Sequence, residues 1–260
     1  MADVLSIDWY DLPRLYDIVF DVGTAQEADF LEAAAARYGR AGGQRVLEPA
    51  CGSGRLVAEL ARRGWTVHGF DRNARMLAYA RRRLDREGLR ATLTEGDMAR
   101  FEVPRPFDLA HCLVSTFKYL LDEDSARSHL ECVANALHAG GIYVLGVHLT
   151  TYDRVGEERE RWVETRDGIT VTSDMRVARP NRTTRLELVR TRLTEVEGAR
   201  KREYESTWHF RTYGPAQMQS LVKSVPALEL VALHDFDYDL AKRSTWADGR
   251  LDKVLVLRRR

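Results

Sequence analysis

Short apolar runs separated by amphipathic stretches fill the first 150 residues. Runs at 45–49, 66–70, 91–94, 107–114 and 142–147 predict five short strands. Between them, apolar positions at helical spacing predict helices over 24–39, 55–63, 73–87 and 122–139. Local chemistry supplies the ends. Thr24 and Glu27 read as a capping box, Asn73 as a helix cap, and Gly64, Gly88 and the pair Gly140-Gly141 as helix stops. Strands alternating with helices at this spacing build βαβ units around a parallel sheet.

The period then changes. Ile169, Val171, Ser173, Met175 and Val177 alternate with polar residues, as do Tyr204, Ser206, Trp208, Phe210 and Thr212. Period two with one wet face predicts antiparallel strands, with turns at Asp167-Gly168 and Pro180-Asn181. A helix over 215–225 and strands over 228–236 and 253–257 follow, and these complete the first sheet. The expected organisation is a core over 1–150, an antiparallel β insertion over 151–212, and a return to the core over 213–260.

Composition narrows the class. The 260 residues suffice for one sizeable α/β core, and 40 basic against 39 acidic side chains leave a net charge of +1. No global field draws in nucleic acid or an anionic membrane, so neither is expected as a partner. Residues 153–212 hold 14 basic and 12 acidic side chains, well mixed, which reads as a solvated β face. No apolar run approaches the roughly 20 residues that span a bilayer. The first ten residues mix Asp3 and Asp8 among apolar positions, unlike a signal peptide, and Cys51, Cys112 and Cys132 have no metal-ligand spacing. A reducing cytoplasm, and no metal, are the expectations.

The chemistry centres on Glu48-Pro49-Ala50-Cys51-Gly52-Ser53-Gly54, which follows a strand and opens a helix. Small residues there admit a ligand to the backbone, and a helix N-terminus favours a negative group, so nucleotides, phosphates and carboxylates all remain open. Two details choose among them. The third glycine of a dinucleotide fingerprint is replaced by Val57. Glu48 also sets a carboxylate where a pyrophosphate would need none, and it suits an ammonium. Asp71 ends the second strand, 23 residues on, where a carboxylate reads ribose hydroxyls. Asp97 and Met98 follow the third strand, placed to meet an adenine amino group and base face.

S-adenosylmethionine carries that combination of ammonium, carboxylate, ribose and adenine. The ordered set Glu48–Gly54, Asp71, Asp97-Met98 and 107–117 resembles class I S-adenosylmethionine-dependent methyltransferases, of the small-molecule type with an antiparallel β insertion. The resemblance implies a Rossmann-like, seven-stranded, mostly parallel sheet with helices on both faces. It implies that Ala50, Gly52 and Gly54 meet the methionine moiety, and that Leu113 through Phe117 line the cofactor pocket. Arg72 and Met76, beside Asp71, join that set. The stretch 108–117 has no proline, unlike nucleic-acid adenine methyltransferases, so the implied acceptor is a small molecule. The segment 16–20 resembles one that closes the pocket, and Arg211 with Tyr213 resembles an Arg-x-Tyr signature of the same enzymes. His148, just past the fifth strand, is the first candidate for a base, with Tyr16 beside it, and Tyr152, His209, Arg211 and Tyr213 are candidates for acceptor binding. The expectation is methyl transfer to a nitrogen or oxygen, leaving S-adenosylhomocysteine, with a homodimer formed through the insertion. A nicotinamide-dependent oxidoreductase and a non-catalytic cofactor-binding scaffold are the alternatives.

Overall fold

A computed structural model describes residues 4–40, 42–153 and 155–260. The chain enters through a short strand β1 (Val4–Ser6), then α1 (Pro13–Phe20) and α2 (Thr24–Tyr38). The alternating region follows as β2 (Arg45–Pro49), α3 (Arg55–Arg62), β3 (Thr66–Asp71), α4 (Ala74–Glu87), β4 (Thr92–Glu95), β5 (Phe107–Cys112), α5 (Glu123–Ala136) and β6 (Leu137–His148). A meander of β7 (Glu158–Arg166), β8 (Ile169–Val177), β9 (Leu186–Glu197) and β10 (Arg200–Arg211) comes next, then α6 (Pro215–Lys223), β11 (Leu228–His234) and β12 (Asp252–Arg259).

Seven strands form one sheet in the order β11-β12-β6-β5-β2-β3-β4. β12 runs antiparallel to both its neighbours and the other pairings are parallel. Alternation along each strand divides the core. Tyr143, Leu145 and Val147 of β6 face α5 and α6, while Ile142 and Val144 face α2, α3 and α4. The second sheet, in the order β1-β10-β9-β8-β7, packs its inner face on α1, where Ile169, Val171 and Val189 bury against Leu15, Ile18 and Val19.

The helix ends show which local signals decide. The Asn73 side chain accepts from the amides of Arg75 and Met76 at 2.9 and 3.0 Å, and Gly88 ends α4 in the left-handed region at φ +63°. The capping box at Thr24 does not form. Thr24 is the first residue of α2, with Gly23 as its cap, and Glu27 turns away to pair with Arg55 at 2.6 Å. A full ion pair to a buried guanidinium outcompetes a cap that water can replace. Gly140-Gly141 is not a helix stop either. α5 ends at Ala136, and the glycines lie inside β6, where the pairing register with β5 shifts. A Cβ at Gly141 would stand 3.1 Å from the Asp108 carbonyl oxygen, so close strand approach explains the glycine. β1, β7 and β9 extend the two antiparallel strands expected from alternation into a five-stranded sheet.

Candidate functional site

The turn after β2 is a strained, clipped loop. Ala50, Gly52 and Gly54 all adopt positive φ, at +54°, +53° and +71°. The Cys51 amide donates to the Phe70 carbonyl at 2.9 Å and the Gly52 amide to Asp71 Oδ2 at 2.8 Å, which fastens the turn to the end of β3. Gly54 serves close packing too, because a Cβ there would lie 2.7 Å from Ala80 Cβ. Asp71 is nearly buried, and its Oδ1 accepts the Asn73 amide at 2.8 Å. Burial raises its carboxyl pKa against these backbone bonds.

Above the turn lies a cavity of about 310 Å³. Of the residues singled out in the sequence, Tyr16, Ala50, Gly52, Asp71, Arg72, Asp97 and Met98 line it. Glu48 and Leu113 line an adjoining cleft of about 40 Å³ that shares Tyr16, Ala50 and Gly52 with the larger cavity. Gly54, Met76 and Phe117 line neither. Met76 is buried on α4, and Phe117 packs against His129 and Tyr213. His129 braces the floor from behind, with Nδ1 2.8 Å from the Met98 carbonyl and Nε2 2.7 Å from the Tyr143 hydroxyl. Burial drives its pKa down to about 4, so it stays neutral.

Glu48 is the electrostatic anomaly. It is buried, its Oε2 has no hydrogen-bond partner, and the His111 ring stands 3.9 Å away. Desolvation pushes its pKa up to about 8, with Arg55 opposing. His111 offers no counter-charge, since burial and Arg55 hold its pKa at about 3. The unpartnered oxygen of the Glu48 carboxyl, beside a glycine turn, is complementary to an incoming ammonium once its proton leaves. Together with Asp71, whose oxygens keep lone pairs beyond one backbone bond each, these residues fit an amino-acid-bearing nucleoside. Val57 is fully buried where a third glycine would stand in a dinucleotide loop.

A second cavity of about 280 Å³ lies between the two sheets. It shares Tyr10, Tyr16, Thr116 and Tyr119 with the first, so one wall separates the two chambers. The Tyr10 and Tyr119 hydroxyls bond each other at 2.6 Å in that wall. His148 lines the second cavity, with Nδ1 2.6 Å from Asp252 Oδ1, and its backbone amide donates to Ser115 Oγ at 2.9 Å. Trp9, Trp162, Trp208 and Phe210 supply aromatic surface. The buried pair Lys118–Glu187, 2.7 Å apart, closes one side. Tyr16 is held protonated by burial, so its hydroxyl is a donor and not a base.

Tyr152, His209, Arg211 and Tyr213 do not line this cavity. The Tyr152 hydroxyl bonds Thr212 Oγ1 at 2.9 Å and Gln217 at 3.1 Å, which secures the start of α6. Arg211 donates to the Leu121 carbonyl at 3.0 Å and Glu123 at 2.8 Å, tying β10 to the head of α5. Tyr213 is fully buried between the Arg185 and Arg211 guanidiniums, and desolvation pushes its pKa up to about 12. His209 is exposed in a shallow groove beside Arg72.

Sequence reading missed Trp9, Tyr10, Tyr119, Glu160 and Asp252 as cavity residues, and Asp17 as a hub. Buried Asp17 accepts from Ser53 Oγ at 2.7 Å, the Tyr79 hydroxyl at 3.0 Å and Arg166 at 2.5 Å, and it also pairs with Arg83. It thereby joins α1, the glycine turn, α4 and the end of β7, and holds Tyr16 over the turn. Extending the period-two pattern back through Glu158, Glu160 and Trp162 was the one local signal for the cavity wall on β7.

The fold is an α/β sheet with two adjoining cavities beside its glycine turn. Comparison with known proteins names the class: residues 46–141 match the family described as a methyltransferase domain. A protein of Geobacillus sp. (strain WCH70), named as a methyltransferase, is 29% identical over 142 residues, covering 55% of this chain and 56% of that one. The dTDP-3-amino-3,6-dideoxy-alpha-D-glucopyranose N,N-dimethyltransferase of Streptomyces fradiae is 34% identical over 100 residues, 38% of each chain. The structure of S-adenosylmethionine-bound CalS10, an amino pentose methyltransferase from Micromonospora echinaspora, superposes with a TM-score of 0.71 at 21% identity, covering all of both chains. Residues 46–141 are thus similar to a methyltransferase domain, and the chain has the fold of S-adenosylmethionine-dependent methyltransferases. It spans about half the length of the Geobacillus relative, or less of the Streptomyces one. Among the described residues, no helix is long and apolar enough to cross a membrane.

Proposed function

We propose that the protein transfers a methyl group from S-adenosylmethionine to the amine nitrogen of a small molecule of the amino-sugar kind. The observation that carries this reading is the shared wall. A cavity over the glycine turn and a cavity holding His148–Asp252 meet at Tyr10, Tyr16, Thr116 and Tyr119. The name of the Streptomyces relative, an N,N-dimethyltransferase, supports nitrogen as the target, and that of the Micromonospora protein supports an amino sugar as the acceptor.

When bound, S-adenosylmethionine would supply an electrophilic methyl carbon whose bond to sulfur breaks as the acceptor nitrogen bonds to it, with neutral S-adenosylhomocysteine as the leaving group. Glu48 would take its ammonium, Asp71 its ribose hydroxyls, and Met98 and Asp97 its base. The walls do the remainder. Aromatic surface from Trp9, Trp162, Trp208 and Phe210 lines the second cavity, and placement converts a bimolecular encounter into an intramolecular one. An amine arrives protonated at neutral pH and must lose a proton before it attacks. Asp252 holds the Nδ1–H of His148, which leaves Nε2 to accept that proton.

The test is transfer of a labelled methyl group to amino sugars by the purified chain. H148Q should lower kcat by about 10²- to 10⁴-fold at neutral pH. The loss should shrink at alkaline pH, where the amine deprotonates unaided. Unchanged kcat in H148Q at neutral pH would remove His148 from the mechanism, and labelling of hydroxyls alone would remove nitrogen as the target.

A further inference from the structure

His111 lines neither cavity nor the adjoining cleft, yet its ring faces Glu48. β2 and β5 are parallel neighbours, with Val46 opposite Leu109 and Leu47 opposite Ala110. Glu48 and His111 follow in the same register. Alternation turns both side chains to the side of the sheet that Val46 and Leu109 share. The His111 ring is fully buried, and neither of its nitrogens has a hydrogen-bond partner among the described residues. Glu48 Oε2 also lacks one, and it stands 3.9 Å from His111 Nε2.

Two facing polar groups left unpaired in a core are costly, because each forfeits a bond that water would have supplied. The surroundings do not compensate them. Arg55 faces both, but it is paired with Glu27 at 2.6 Å. The Val57 amide donates to the Glu48 carboxyl and leaves Oε2 free. Glu27 and Asp71 face Glu48 as like charges, and the neighbouring Cys51 and Cys112 thiols are kept protonated by burial. His111 is neutral, so it carries one N–H and one lone pair. Once Glu48 ionises, an N–H at Nε2 is the donor that faces the free oxygen. Closing 3.9 Å to a hydrogen bond takes a movement of about 1 Å.

We propose that His111 is a positioning residue for the methyl donor: its Nε2–H bonds the ionised carboxylate of Glu48 and so holds Glu48 ready for the ammonium of S-adenosylmethionine. This rests on the ammonium reading of Glu48 above and deepens it. The bond forms with the ionised carboxylate, so His111 acts on how readily Glu48 gives up its proton and not on the ammonium itself. A neutral donor suits the place better than a cation. A lysine or arginine there would neutralise the carboxylate and repel the incoming ammonium, whereas an imidazole N–H leaves the negative charge in place.

The test is calorimetric titration of S-adenosylhomocysteine into the full chain at about pH 7 and about pH 9, for the parent, H111F, H111Q and E48Q. H111F removes the donor and keeps an aromatic ring, so Glu48 should ionise about one pH unit higher. Affinity in H111F should therefore fall about tenfold at the lower pH and lie within about threefold of the parent at the higher. H111Q, whose side-chain amide still donates, should stay within about threefold of the parent at both. In the unmutated chain, NMR of nitrogen-labelled histidine should show a His111 Nε2–H proton, assigned by its absence in H111Q, that moves downfield when S-adenosylhomocysteine is added. Equal loss in H111F at both pH values, no loss at the lower one, or an Nε2–H signal that the nucleoside leaves unmoved overturns the assignment. Parent-like binding by E48Q would overturn the ammonium reading of Glu48 on which it rests. Weakened E48Q beside parent-like H111F would remove His111 alone.

Discussion

Glu48 concentrates the physics of the site in one side chain. Its folded pKa of about 8 lies well above the ordinary glutamate value of 4.5, so folding favours the protonated form. The sign follows: this group's contribution to stability is complete below the unfolded pKa and is lost as pH rises through about 8. E48Q, which cannot ionise, should therefore melt higher than the parent above pH 8 in a calorimetric scan. The same substitution should weaken S-adenosylhomocysteine binding, because the ammonium loses its carboxylate. In the parent, affinity should fall by up to about tenfold per pH unit below 8, since the proton on Glu48 must leave before the pair forms. Opposite signs for stability and affinity separate a binding role from a structural one. A variant that loses both, or neither, contradicts the assignment.

Among elements, α1 is the one whose placement is bought at greatest electrostatic cost. Asp17 is fully buried, and it faces the buried Arg83 and half-buried Arg166. Removing one partner of a buried pair strands the other, typically at about 3–5 kcal/mol. D17A should destabilise the fold by about that amount in denaturant titration, and it should also raise the Kd for S-adenosylhomocysteine, because Tyr16 loses its seat over the glycine turn. R166A, at the more exposed end, should cost less. Equal losses in the two variants would show that the hub is not organised around Arg83. Elements were also where the sequence was most legible. The alternating region carries its signals locally: apolar strands, the cap at Asn73, and left-handed glycines at Gly54 and Gly88. Legibility failed where partners came from afar. Glu27 left its cap for Arg55, and Gly140-Gly141 answered to neighbouring strand backbone and not to a helix end. β7 and β9 were obscured because Glu158, Glu160, Glu187 and Glu195 occupy inward positions that alternation reserves for apolar side chains.

At the scale of the whole molecule, the acceptor chamber is a seam. Its walls come from the N-terminal segment, the loop after β5, the end of β6, β7, β10 and β12, which are brought together only when the second sheet seats on α1. That explains why the cofactor side could be read from one stretch of sequence and the acceptor side could not. It also decouples the two sites. I169A removes a fully buried side chain between β8 and α1, and should destabilise the protein by about 2–4 kcal/mol. It should raise the KM for the acceptor while leaving S-adenosylhomocysteine affinity within about threefold, because the glycine turn and Asp71 belong to the other sheet. Parallel loss of both affinities would show one cooperative site instead.

The central claim is that the clipped turn and Asp71 hold a sulfonium nucleoside. Isothermal titration of S-adenosylhomocysteine into the parent and D71A, with NADH as the competing ligand, tests it most directly. The account predicts saturable one-to-one binding, weakening of about 100-fold in D71A, and no heat with NADH. Binding of NADH in place of the nucleoside, or equal affinity in D71A, would contradict it.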